Sequence, residues 1–118
     1  MKLPAEACLL RVFIGESDKK DGVPLYEVIV REARARGLAG ATATRGFLGF
    51  GANSRIHTAK VLRLSEDLPV VVEIVDAEEK IQAFLPELDA LVGEGLVTME
   101  KVRVITYRHN NGAGSADA

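Results

Sequence analysis

The residue types whose spacing could do chemistry in this chain are glycine and arginine. Gly46, Gly49 and Gly51 form a G-x-x-G-x-G array, flanked by Arg45 and Arg55 and followed by His57. Guanidinium groups beside exposed backbone N–H groups suit the oxygens of a small anion such as phosphate. The spacing matches neither the dinucleotide fingerprint nor a P-loop, and no clear helix opens behind it. Glycines in such a stretch also serve a loop that needs positive φ, and both arginines have an ordinary surface role open to them. His57 could bond a phosphate or a ring, titrate near its usual value of about 6.5, or be a structural histidine.

Other chemistry is scarce. Cys8 stands alone in an apolar run and reads as inert core, and the two histidines, His57 and His109, are too far apart in sequence to form a metal site by spacing. No Ser/His/Asp or Cys/His constellation assembles, so no catalytic residue is assigned. Arg11 and Glu73 lie in apolar strands and pair more naturally with each other than with a substrate. Arg103, in a similar setting, needs either an ion pair with Glu73 or a neighbouring chain, or the phosphate of a ligand.

The chain has 118 residues, 15 Lys+Arg, 17 Asp+Glu and one Cys, the arithmetic of one domain with a core that needs no disulfide or metal staple. A cytoplasmic protein is the expectation, with no internal disulfide, no membrane-embedded segment and no signal peptide. The net charge of −2 argues against nucleic acid as a partner. That balance hides a strong asymmetry. Residues 33–65 hold no acid and six bases, namely Arg34, Arg36, Arg45, Arg55, Lys60 and Arg63, whereas residues 66–100 hold ten acids and only Lys80 as a base. The basic stretch, rich in glycine, favours a small anion; the acidic one reads as a solvated helix face.

The elements that must position these residues follow from periodicity. Ala7 to Ile14 reads as a strand covered on both faces, Asp18 to Gly22 as a charged turn, and Leu25, Val28, Ile29 and Ala33 as the stripe of a helix started by Pro24 and stopped by Gly37. Residues 39–48 and Ala59 to Leu64 look extended, Ser65 to Pro69 reads as a turn, and Val70 to Val75 is the strongest strand. A second helix, capped by Asp76 with Glu79 in a capping-box position, carries Ile81, Phe84, Leu85, Leu88, Leu91 and Val92 and ends at Gly93. Pro86 should kink or divide it. Val102 to Tyr107 reads as the last strand, and 110–118 as a disordered tail. The order β-α-β-β-α-β over one domain, residues 1–109, predicts an α+β ferredoxin-like sandwich: an antiparallel sheet with two helices on one face.

The sheet's second face then places Arg11, Glu73 and Arg103 among Leu9, Phe13, Val71, Val75, Ile105 and Tyr107. Such a patch calls for burial in an oligomer.

Several stretches together resemble a known family: Pro24-Leu-Tyr-Glu27, Arg45-Gly-Phe-Leu-Gly-Phe-Gly51, Ile56-His57, Leu64-Ser-Glu-Asp-Leu-Pro69 and Val71-Val-Glu-Ile-Val-Asp76. Over about residues 6–109 the chain resembles the PII-like uncharacterised family known as domain of unknown function one-ninety. It is more distantly similar to PII nitrogen-signalling proteins through Val72-Glu-Ile-Val75 and Val102-Arg-Val-Ile105. The resemblance implies a PII-like homotrimer whose subunit clefts bind ATP, ADP or AMP and whose loop, here residues 46–57, is presented to a partner protein, among them membrane transporters. It places Arg45, Gly46, Gly49, Gly51, Arg55, His57, Arg103 and Arg108 at ligand-binding positions. Where PII carries a Gly-Asp-Gly-Lys phosphate element, this chain has only Gly93-Glu-Gly95. Two other functions compete: a structural adaptor without a small-molecule ligand, and an enzyme acting on an anionic metabolite with His57 as acid or base.

Overall fold

The structure, a computed structural model, describes residues 3–51 and 67–108. The strand expected at Ala59 to Leu64, the first two residues of the turn expected at 65–69, Arg55, His57, His109 and the tail at 110–118 lie outside the described residues. Four long strands form one antiparallel sheet: β1 (Glu6–Gly15), β4 (Gly40–Arg45), β5 (Pro69–Asp76) and β6 (Leu96–Arg103), in the order β4-β5-β1-β6. Helices α1 (Leu25–Ala35) and α2 (Glu78–Leu91) follow β1 and β5. The order and the helix placement are those of the ferredoxin-like α+β sandwich.

The charged turn expected at 18–22 is a small hairpin. Two-residue strands β2 (Lys19–Lys20) and β3 (Val23–Pro24) pair across Asp21 and Gly22, whose φ values of 51° and 82° suit a type I′ turn. Helix α1 buries Leu25, Ile29 and Ala33 and closes as a Schellman motif. The Leu38 N–H donates to the Ala33 carbonyl and the Gly37 N–H to Arg34, with Gly37 at φ 76°.

One face of the sheet makes the core. Cys8, Leu10, Val12 and Ile14 of β1 and Val70, Val72 and Ile74 of β5 pack with Leu25, Ile29, Ile81, Phe84 and Leu88. Since side chains alternate along a strand, the residues between them form the outer face.

Three expectations are corrected by this register. The last strand runs from Leu96 to Arg103 rather than from Val102 to Tyr107, because its partner β1 begins at Glu6, opposite Arg103. Arg103 therefore shares the parity of Lys101, opposite Cys8, and projects to the helix side, while Val102 takes the outer face. Asp76 does not cap α2: it is the buried last residue of β5, and α2 starts behind Ala77 without a side-chain cap. Pro86 leaves α2 undivided, since the buried stripe of Ile81, Phe84 and Leu88 holds both sides of it against the sheet.

Candidate functional site

The outer face of the sheet carries the ionic groups expected to pair. Arg11 stands opposite Glu73, and its Nε donates to Glu73 Oε2 at 2.8 Å, while Nη1 donates to Glu100 Oε1 at 2.5 Å. These bonds, first to Glu73 and then to Glu100, hold the guanidinium protonated beyond its already high ordinary range. A cation bound at both sides by carboxylates is a structural clamp across β5, β1 and β6. Leu9, Phe13, Val71 and Val75 surround it, half-buried or exposed.

At one end of this face lies a cleft. Beyond β6 the Val104 N–H donates to the Ala5 carbonyl at 2.7 Å, and the Tyr107 hydroxyl donates to the Ala39 carbonyl at 2.9 Å. Residues 104–107 thus cross the sheet end as a strap, from the β6 edge to the start of β4. Ala39 is held from its other side as well, because its N–H donates to Asp76 Oδ2 at 2.8 Å, while Asp76 Oδ1 accepts the Ala77 N–H at 2.6 Å. This explains a carboxylate only 1% exposed: it ties the start of β4 to the β5–α2 junction. Between strap and sheet is a cavity of about 340 Å³, with apolar walls from Leu9, Val75 and Val104 and polar groups from Thr42, Glu73, Thr106 and Tyr107. Arg103 and Arg108 bracket the strap in sequence, and both are exposed.

The glycine array sits at the opposite end. The Arg45 Nη1 donates to Glu16 Oε2 at 2.8 Å. The Gly46 N–H donates to the Pro69 carbonyl at 2.7 Å. A Cβ on Gly46 or Gly49 would come within 3.0 or 3.1 Å of Pro69 Cγ, so both glycines permit close packing on that ring. None of Gly46, Gly49 and Gly51 has positive φ, which corrects that reading of the array. Within one chain, Arg45 with its glycines and Arg103 with Arg108 therefore lie at two ends of the sheet and form two places.

Sequence reasoning did not find the lining of the cleft. Thr42 and Glu73 come together only through the β4–β5 register, and Tyr107 reads as a strand residue until the strand is seen to stop at Arg103. Among the described residues, no group of three His, Cys, Asp or Glu side chains gathers as a metal site.

The family model for DUF190, "Uncharacterized ACR, COG1993", matches residues 7–104. The chain belongs to this family. Among curated members, a UPF0166 protein of Aquifex aeolicus is 44% identical over 97 residues, covering 82% of this chain and 91% of that one. A UPF0166 protein of Methanocaldococcus jannaschii is 33% identical over 100 residues, covering 84% and 92%. The DUF190 fold is shared with solved structures of lower identity. A Thermus thermophilus protein assigned as a PII-like signalling protein superposes with a TM-score of 0.59 at 19% identity, over 89% of this chain and 94% of that one. CPII from Thiomonas intermedia, solved with ADP and bicarbonate, superposes with a TM-score of 0.52 at 16% identity, over 84% and 88%. These likenesses fix the fold as PII-like.

Proposed function

We propose that this protein is a PII-like cytoplasmic regulator, not an enzyme, that binds an adenine nucleotide or a related small anion in the cleft beneath the 104–107 strap of an oligomer, a homotrimer in this reading. The observation that carries the proposal is the cleft itself: apolar walls of Leu9, Val75 and Val104 suit a flat base, and Thr42 and Glu73 offer it polar partners, while Arg103 and Arg108, exposed and bracketing the strap in sequence, are the cations this reading assigns to phosphate. The ADP-bound CPII structure supports the choice of ligand class, being a protein of the same fold. Strand β4 links the cleft, at Ala39 to Thr42, to the loop beginning at Gly46. Ligand held against the start of β4 biases the loop at its far end, and residues 46–57 are what a partner, such as a membrane transporter, reads. In this scheme Arg45, Gly46, Gly49 and Gly51 form the root of that loop, and Arg55 and His57 belong to its continuation.

Calorimetry with ATP, ADP and AMP tests the proposal. At least one nucleotide should bind, and R103A/R108A should weaken it tenfold or more, since each charge-assisted phosphate contact is worth about 1.5–3 kcal/mol. Silence across the panel up to millimolar concentration sinks the nucleotide reading. The adaptor reading, in which the loop grips a partner with no small molecule, has one observation in its favour: Arg45 is already paired with Glu16, and two array glycines are occupied by Pro69.

A further inference from the structure

The strap at residues 104–107 is held in a way that lets it move. Its ladder partner β1 begins at Glu6, opposite Arg103, so past Arg103 the chain has left the sheet. One end is pinned where the Val104 N–H donates to the Ala5 carbonyl at 2.7 Å, the other where the Tyr107 hydroxyl donates to the Ala39 carbonyl at 2.9 Å. Between the pins Ile105 is 83% exposed, so its side chain does not weld the strap to the sheet.

The sheet side of the Tyr107 bond is fixed independently. Asp76 Oδ2 accepts the Ala39 N–H and Oδ1 the Ala77 N–H, and the next residue, Gly40, pairs with Val75. Opening of the Tyr107–Ala39 bond therefore lifts the strap and leaves the start of β4 in place. A hydrogen bond between neutral groups is worth roughly a factor of two to ten in an equilibrium, enough to favour the closed strap and little enough to be broken often. The cavity beneath, about 340 Å³, stands at the lower end of the roughly 300–1,000 Å³ of small-molecule sites, so a ligand much larger than a flat ring meets the strap.

We propose that Tyr107 is the latch of a gate over this cleft. When its bond to Ala39 opens, the strap swings about Val104, admits a ligand to the floor made by the paired residues Leu9 and Val75, and closes again over it. The proposal deepens the reading of the cleft as a ligand site and rests on it for the ligand's route, whereas the opening itself does not depend on which ligand enters.

A thiol in the cleft reads the gate directly. V75C, made in the full chain, places a cysteine on the half-buried floor, and native Cys8, 2% exposed in the core, reports opening of the sheet in the same molecule. Y107F keeps the ring and removes the latch hydroxyl. DTNB should label V75C roughly two- to tenfold faster in V75C/Y107F than in V75C alone, with Cys8 still unreactive. Amide exchange across 103–107 is the parallel measurement that leaves the cleft wall native: it should accelerate in Y107F while β1 and β5 stay protected. Y107F should also raise the association and dissociation rates of ADP by similar factors and change its affinity less. Equal labelling and exchange with and without the hydroxyl, an acceleration that Cys8 shares, or ADP rates untouched by Y107F each overturn the gate. Faster V75C labelling in a protein that binds no ADP supports the gate and removes the nucleotide reading, so the two fail separately.

Discussion

Cys8 illustrates how environment decides what a reactive residue can do. Its thiol is 2% exposed, and burial first, with a smaller contribution from Glu78, pushes its pKa above the ordinary 9.0. A buried thiol held protonated is a poor nucleophile. Native protein at neutral pH should therefore leave Cys8 untouched by a thiol reagent such as DTNB, with one equivalent titrating after denaturation; rapid native labelling would show that β1 opens. Linkage gives the sign of the pH effect. The unfolded chain loses this proton at lower pH than the folded one, so the stability associated with it is intact below about pH 9 and declines as pH rises further. The inert character of Cys8 was legible from its apolar neighbours. The role of Asp76 was not, because an aspartate before a helical stripe reads as a cap, and only the fold brings the Ala39 N–H to its other oxygen.

At the scale of elements, strands and helices were read well wherever one period dominated. Val70 to Val75 and the Leu25, Ile29, Ala33 stripe appear in the structure nearly as expected, whereas the last strand was misplaced by about six residues. Leu96 to Lys101 mixes Thr, Glu and Lys with apolar residues because β6 is an edge strand whose two faces are only partly covered. The more apolar Val102 to Tyr107 outscored it. Gly95 marks the true start. Its φ of 153° and the 2.6 Å that would separate an added Cβ from the Phe13 carbonyl oxygen both require glycine. G95A should cost about 2 kcal/mol or more, since neither the conformation nor the β1 backbone can yield cheaply. A fall in the urea midpoint at constant m-value would measure it. An unchanged midpoint would mean that β6 begins elsewhere.

For the whole molecule, the two faces of the sheet differ in how far one chain covers them. Cys8, Leu10, Val12 and Ile14 find the helices, but Leu9, Phe13, Val71 and Val75 lie on the opposite face around the Arg11, Glu73 and Glu100 clamp, half-buried or exposed. Ion pairs open to water contribute little to stability, because solvent screens them and two long side chains must be ordered to make them, so the clamp does not justify such a face in a monomer. Enclosed between copies, the same clamp has its charges balanced and its apolar neighbours removed from solvent. Phe13, at 36% exposure, separates the two cases. F13E leaves the core untouched, so the variant should keep its far-UV spectrum and unfold cooperatively. A carboxylate placed between copies on this face meets no free cation among the described residues of the outer face, because Arg11 is taken on both sides. The light-scattering mass should then drop from that of the oligomer to that of one chain, and nucleotide binding should weaken with it if the cleft needs a neighbouring subunit to be complete. An F13E protein that keeps both its mass and its ligand would place the outer face in solvent and move the interface to another surface.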